Sequence, residues 1–194
     1  MKKITLLSLL FIFNFSFAQE EMITHNGIVN FEASVPLFEE VKATNETSFC
    51  TLNTNTGVIT DVVLIKDFHF KIPIMEEHFN ENYLESDRHP KAIFKGKIQG
   101  FNLNIIGTDS KEFVMRGKLE IHGKSKEISI PVFIKKVGDA LEISSNFKVS
   151  INDFNIKIPR ILIVKIAENV TIKTNYLVQL KSRYLTVKIV DNLD

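Results

Sequence analysis

The chain has 194 residues, with 24 basic side chains, 23 acidic side chains, five histidines and one cysteine. This balance, without a basic stripe carrying interleaved aromatic residues, argues against a nucleic-acid partner. The lone Cys50 excludes an intramolecular disulfide, and the length fits one domain with its own core, since domains commonly run to about 100–200 residues.

The N-terminus has the pattern of a signal peptide. Lys2 and Lys3 precede an apolar run that ends in Ser16-Phe17-Ala18, which puts small residues where a signal peptidase reads. We therefore expect residues 1–18 to be cleaved and the protein to be exported, either periplasmic or secreted. The run is short for a membrane anchor, so we expect no stable membrane span after cleavage. Cleavage removes two lysines and no acid, which leaves a net charge of −1.

From Gly27 onwards the chain is patterned as β-structure. β-branched and aromatic residues alternate with polar ones, and Asn, Asp and Gly separate the runs. Short turns of this kind favour antiparallel neighbours with one face buried. Eight such runs predict a closed sheet or sandwich, and a barrel removes exposed edges. The candidate strands are 27–34, 48–53, 58–70, 91–106, 112–122, 126–137, 140–150 and 169–180.

The segment from Met75 to Gly96 interrupts this pattern with a short helix. Phe79 and Tyr83 are four residues apart and share one helix side, whereas Pro90 cannot extend the helix. After Pro90 the two-residue period of a strand resumes. The segment is therefore expected to pack a helix into an otherwise all-β fold.

Two later segments are harder to assign. Residues 153–167 include an apolar stretch that Pro159 interrupts, and residues 160–167 fit either a short helix or part of a strand. We take residues 19–180 as one domain and residues 181–194 as a C-terminal extension or edge strand.

Residue spacing argues against a metal site or a catalytic site. No His-x-x-x-His or Glu-x-x-His pair and no cysteine cluster is present, and the adjacent Glu77 and His78 point to different sides of a helix. We expect no catalytic residue, no metal and no cofactor. An enzyme that uses Glu77, His78 and His89 is the weaker alternative. Cys50 has no neighbouring base to lower its pKa and is expected to be an inert core residue.

Three motifs in order carry a resemblance to a known family. They are 77–95, with Glu-His-Phe leading to His-Pro-Lys-Ala-Ile-Phe; 117–128, with Gly-Lys-Leu-Glu-Ile-His-Gly-Lys-Ser-Lys; and 147–156, which ends in Asp-Phe-Asn-Ile. Together they resemble the YceI-like family of exported, lipocalin-like, polyisoprenoid-binding proteins. The first strand fits less well, because it keeps only His25 of the family's opening motif.

This resemblance implies an extended, eight-stranded antiparallel lipocalin-like barrel with a helix near one mouth and an isoprenoid chain in its lumen. Apolar alternation alone favours an ordinary filled core, since every β-core needs it. With the resemblance, we expect an exported binding protein that sequesters or carries an amphiphilic isoprenoid or other lipid. The alternative is a non-catalytic envelope module with a filled barrel that acts through surface contacts. A homodimer is left open.

The expected lumen residues are apolar positions on the inward phase of the strands, together with two aromatic residues of the helix at the mouth. They are Phe79, Tyr83, Phe94, Ile98, Phe113, Met115, Leu119, Ile121, Ile130, Val132, Phe147 and Val149.

Overall fold

The structure of the chain, a computed structural model, describes residues 21–159 and 166–181. The predicted signal peptide lies outside the described residues. The same holds for residues 160–165 and for the C-terminal extension beyond Lys181.

The described chain contains nine strands and short helical segments. The strands are β1 (Glu21–Ser34), β2 (Lys42–Asn53), β3 (Val58–Leu64), β4 (His69–Phe70), β5 (Lys91–Ile98), β6 (Lys111–Ile121), β7 (Lys124–Val137), β8 (Ala140–Ser150) and β9 (Ile166–Leu180). The helical segments are α1 (Pro73–His78), the π-helical turn Phe79–Tyr83, and 3₁₀ turns at Ile65–Asp67, Leu103–Ile105 and Ile151–Phe154.

Eight of the strands form a closed antiparallel barrel. Hydrogen bonding runs in the order β1-β9-β8-β7-β6-β5-β3-β2, and β1 also pairs with β2, which closes the ring. β4 adds only a two-residue pairing with β2, at Ala43 and Thr44. Closure leaves no long edge unpaired among these eight strands. The predicted all-β fold, an eight-stranded antiparallel barrel with a short helical insert, is confirmed.

Two predicted strands end earlier than their apolar pattern indicated. The β3 pattern runs on to Phe70, but the chain turns after Leu64, whose carbonyl accepts a hydrogen bond from the Asn45 side chain at 2.9 Å. The β5 pattern runs on to Ile106, but pairing stops at Ile98. Beyond it, Gly100 takes a positive φ of 66° and Asn102 caps a 3₁₀ turn. In both places local turn chemistry overrides the alternation.

The helical insert lies where the sequence predicts one, but it starts two residues earlier, at Pro73, and its helical turns end at Tyr83, before Pro90. Pro73 stands at the first turn of α1, where its missing N–H is not needed. The helix continues into the π turn, in which the Leu84 N–H donates to the Phe79 carbonyl at 2.9 Å. β5 starts directly after Pro90.

The register divides the barrel interior into two halves. One end is tightly packed by side chains of β2, β5, β7, β8 and β9 that are at most 1% exposed: Leu52, Ile98, Val132, Ile134, Ile143 and Val178. At the other end the inward side chains surround a cavity, and α1 with its π turn covers part of the mouth. We call residues 73–84 the lid.

Candidate functional site

The barrel encloses an apolar cavity of about 490 Å³, open at the mouth. Its walls come from β1, β3, β5 to β9 and the lid. Nearly all of the side chains that face it are aliphatic or aromatic. This volume lies within the range of about 300–1,000 Å³ of small-molecule sites, which are mostly apolar with a few placed polar groups.

Nine of the twelve expected lumen residues line this cavity. They are Phe79, Tyr83, Phe94, Met115, Leu119, Ile121, Ile130, Phe147 and Val149. That any of them contacts a ligand stays a prediction.

The other three expected lumen residues lie elsewhere. Ile98, Phe113 and Val132 are 0%, 8% and 0% exposed and belong to the packed end of the core, not to the cavity wall. Strand alternation determines which face a side chain takes. It does not determine how far along the barrel axis that side chain stands, and the cavity occupies only one end.

An aromatic cluster at the mouth joins the lid to the barrel. The Phe79 ring stacks on the Phe31 ring, with centroids 5.1 Å apart and planes at 14°. Phe68 and Phe70 meet Phe79 at 5.6 Å and 5.1 Å, in edge-on and tilted contacts. Aromatic pairs of this kind each contribute about 0.5–1.5 kcal/mol beyond area burial. Of these four rings, the sequence argument named only Phe79.

The cavity floor, next to the packed end, carries a polar group that the sequence argument missed. Asp61 accepts a hydrogen bond from the Ser48 hydroxyl at 2.5 Å and another from the Tyr176 hydroxyl at 2.6 Å. The neighbouring Ser145 and Thr174 hydroxyls are 2.8 Å apart and also line the cavity. An otherwise hydrocarbon-like wall therefore has a hydrogen-bonded patch at its inner end.

Burial controls the ionisation of this polar patch. Part of the Asp61 surface faces the cavity, but the barrel walls keep the carboxyl from bulk water. Desolvation raises its pKa from 3.8 to about 6, although the Ser48, Tyr176 and Val62 donors oppose the shift. Burial also raises the pKa of Tyr176 and of the Cys50 thiol, and the Asp61 charge adds to both shifts. Cys50, fully buried, lacks the exposure of a reactive thiol.

Gly27 makes room for the Tyr176 ring. A Cβ atom at residue 27 would lie 2.5 Å from the Tyr176 Cδ1 atom, closer than side chains approach. β1 also shifts its register on both sides of Gly27. The missing side chain thus allows Tyr176 to lie across β1 and to direct its hydroxyl at Asp61.

One feature of the sequence points to Asp61. Ile59, Asp61 and Val63 share the inward phase of β3, so a single acid replaces an apolar side chain on the buried face. Burying an acidic side chain lowers the stability of a fold, so an acid on a buried strand face is a signal for a functional site. The apolar positions on either side of it concealed this signal.

The fold also brings together three side chains that are distant in sequence. Glu85 follows the lid, His89 precedes β5, and His122 stands in the β6–β7 hairpin. Their ligand-type atoms lie within 4.8 Å of one another. Hydrogen bonds from His122 and Arg88 hold the pKa of Glu85 below its usual range. Sequence spacing missed this cluster because it considers only neighbours along the chain.

His78 and His69 lie apart from that cluster. His78 is exposed on the lid and lines the cavity mouth. His69 is exposed, with its Nδ1 3.7 Å from the Glu76 carboxylate. No helix within residues 21–159 and 166–181 is long and apolar enough to cross a membrane.

A closed antiparallel barrel of eight strands around an apolar cavity defines the class of lipocalin-like barrels. Residues 14–177 match the YceI-like domain, which is most of the chain, and the protein belongs to the YceI-like family. No curated protein matches the chain.

Solved structures share the same fold at low sequence identity. A polyisoprenoid binding domain from Saccharophagus degradans is 10% identical over 84% of this chain and 99% of that one, with a TM-score of 0.72. Burkholderia cenocepacia BcnA is 16% identical over 78% and 95%, with a TM-score of 0.64. A YceI protein of Campylobacter jejuni is 16% identical over 74% and 88%, with a TM-score of 0.57.

Proposed function

We propose that this protein is an exported binding protein that sequesters or carries an amphiphilic isoprenoid or another lipid in the barrel lumen. The observation that carries the proposal is the apolar cavity of about 490 Å³, open at one end. Membership of the YceI-like family supports it, as does the fold shared with a domain described as polyisoprenoid-binding.

The cavity wall favours a hydrocarbon chain over a polar ligand. Transfer of one methylene from water to an apolar environment contributes about 0.8 kcal/mol, so a twenty-carbon chain gains roughly 16 kcal/mol in gross terms. Association costs about 4–15 kcal/mol, which is smallest when the site is preformed. A chain of a few isoprene units therefore has enough apolar surface for stable binding.

The polar patch indicates how such a ligand is oriented. Above about pH 6 the Asp61 carboxyl is charged at the cavity floor and repels an anionic head group there. A charged head group at the floor would also lose its hydration, whereas at the mouth it keeps contact with water. We infer that the chain enters tail first and that an anionic head group stays at the mouth, beside the lid.

The proposed role is binding without catalysis. The two titratable groups at the cavity floor, Asp61 and Tyr176, are hydrogen-bonded to each other. In a surface-acting module the barrel interior would be filled, and the open cavity favours the binding role over that alternative.

The proposal is tested by identifying what the protein holds and by blocking the cavity. Protein purified from its own host is extracted with organic solvent, and the extract is analysed by mass spectrometry. We expect a recurring prenyl-chain or other lipid species at near one per protein. Ala92→Phe puts a ring into the cavity wall, whereas Val114→Phe adds a ring at a position that is 41% exposed on the outer face.

The Ala92→Phe variant should lose most of the bound species, and the Val114→Phe variant should keep it. A host-purified protein that repeatedly yields no lipid, and that does not bind a fluorescent prenyl probe in vitro, contradicts the proposal. Equal lipid content in the two folded variants contradicts it as well, because the lipid would then sit outside the cavity.

A further inference from the structure

Glu85, His89 and His122 form a cluster where the segment after the lid meets the β6–β7 hairpin. All three are partly buried, and one ligand-type atom of each lies within 4.8 Å of the others. The side chain of His122 is 12% exposed and that of Glu85 is 34% exposed, so an ion has access from solvent. The cluster lies outside the cavity wall and is not used by the proposed lipid binding.

His122 is held between a carbonyl and a carboxylate. Its Nδ1 lies 3.3 Å from the Phe154 carbonyl oxygen, which accepts a hydrogen bond when Nδ1 carries the ring hydrogen. Its Nε2 lies 2.7 Å from the Glu85 Oε2 atom. With the hydrogen on Nδ1, the Nε2 lone pair and the carboxylate oxygen face the same point, where one metal ion can bind to both.

The outer contacts of His122 are those of a metal-binding histidine. Such histidines almost always donate their other ring N–H to a carbonyl or carboxylate, which fixes the tautomer and aims the free nitrogen. The Phe154 carbonyl serves this purpose here. Arg88 binds the other Glu85 oxygen, Oε1, at 2.7 Å, which holds the carboxylate and leaves Oε2 directed at His122.

The backbone makes space for the third side chain. Gly123 has a φ of +67°, and a Cβ atom at this residue would lie 2.9 Å from the His89 ring. Without that atom, the His89 ring packs edge-on against His122, with centroids 4.6 Å apart.

We propose that Glu85, His89 and His122 bind a divalent transition-metal ion of the zinc type. Imidazole nitrogens with one carboxylate oxygen are a common donor set for zinc, at bond lengths of about 2.0–2.2 Å. Three protein ligands leave a position for water. Zinc bonds of this length put the ligand atoms of a tetrahedral site about 3.3 Å apart. Binding would therefore widen the 2.7 Å separation between Glu85 and His122 and draw in the His89 nitrogen, which lies within 4.8 Å of both.

An ion at this place would fasten the lid to the barrel. Glu85 directly follows Leu84, the last lid residue, which faces the cavity. His122 belongs to the hairpin and contacts Phe154, which also faces the cavity. The bound metal would thus link two walls of the cavity mouth that the described sheet does not join directly.

The experiment is a titration of purified, tag-free protein with zinc chloride, followed by isothermal titration calorimetry. We expect one zinc per chain with micromolar or tighter affinity. His89→Ala should weaken binding at least tenfold. So should Glu85→Gln, which keeps the size of the side chain but removes its charge. His69→Ala is the matched control, because His69 also faces one carboxylate but has no third ligand beside it among the described residues.

Circular dichroism identifies any variant that fails to fold. His89→Ala is the least disruptive of the cluster variants, because the ring hydrogen bonds of the cluster, within the described residues, are made by His122. Cobalt chloride supplies a second measurement, since a tetrahedral cobalt site has intense visible absorption that His89→Ala should abolish. Wild-type protein that takes up no stoichiometric zinc overturns the proposal. So does a His89→Ala variant that binds zinc as tightly as the His69→Ala control.

Discussion

Asp61 makes the stability of the barrel depend on pH in an unusual direction. Its pKa is 3.8 when unfolded and about 6 when folded. Well below pH 4 both states hold the proton, so ionisation of the residue costs no stability. Between pH 4 and 6 only the folded state keeps it, so the free energy of unfolding falls as pH rises. Above pH 6 the cost is constant at about 3 kcal/mol, from two pKa units at about 1.4 kcal/mol each.

Asp61→Asn removes this titration while keeping the shape of the side chain. We expect the free energy of unfolding of the variant, minus that of the wild type, to increase by about 3 kcal/mol from pH 3 to pH 7. Urea unfolding at several pH values measures this difference, and other titrating groups cancel in it. A flat difference for Asp61→Asn would show that the carboxyl is solvated.

Gly27 is expected to be intolerant of a side chain because Tyr176 occupies the space. Gly27→Ala should lower the free energy of unfolding by about 1–3 kcal/mol, the usual cost of overpacking, since the new Cβ atom would lie 2.5 Å from the ring. Gly107→Ala is the control, because no atom lies within 4 Å of a Cβ atom there. Denaturant unfolding of both variants is the measurement. A neutral Gly27→Ala would mean that the ring moves aside freely.

The lid is the element that a single substitution should loosen most easily, since it is short and is held mainly by the aromatic contacts of Phe79. Phe79→Ala removes the stacking on Phe31 and the contacts with two further rings. We expect a fluorescent prenyl probe to leave at least tenfold faster, which corresponds to about 1.4 kcal/mol of lost contact energy. Stopped-flow displacement measures the rate. Phe133→Ala, on the outer face of β7, should leave it unchanged, and equal rates in both variants would show that the lid does not hold the ligand.

The sequence predicts the positions of the strands and of the helix well, and the residues at which they end less well. Alternation in β6 and β7 predicts which side chains point inward, and Pro90 marks where the helix must have stopped. The shortened β3 depends on Asn45, which is distant in sequence and bonds the Leu64 carbonyl. A pattern limited to neighbours along the chain cannot include that bond. The cluster of Glu85, His89 and His122 is hidden for the same reason, because the barrel brings its members together.

The whole molecule combines a packed half with an open half built from the same alternation. Ile98 and Val132 are fully buried in one half, whereas Leu119 and Ile121 line the cavity in the other. All four obey the inward phase. What separates them is their height in the barrel, which depends on strand register and closure, and neither can be read from one strand. Composition therefore predicts an apolar interior without telling whether that interior is full.

An open apolar cavity leaves its lining without partner atoms on one side, so a ligand that fills it should stabilise the whole barrel. Binding to the folded state alone contributes about 2.7 kcal/mol at a ligand concentration of 100 times Kd. For a domain of this size each kcal/mol raises Tm by about 2–4 °C. We expect delipidated protein to gain roughly 5–10 °C when reloaded with a prenyl-chain lipid, measured by scanning calorimetry. Ala92→Phe, whose ring occupies part of the cavity, should gain little, whereas Val114→Phe should respond as the wild type does. An equal gain in both variants would place the stabilising lipid on the surface, because only the first variant changes the lumen.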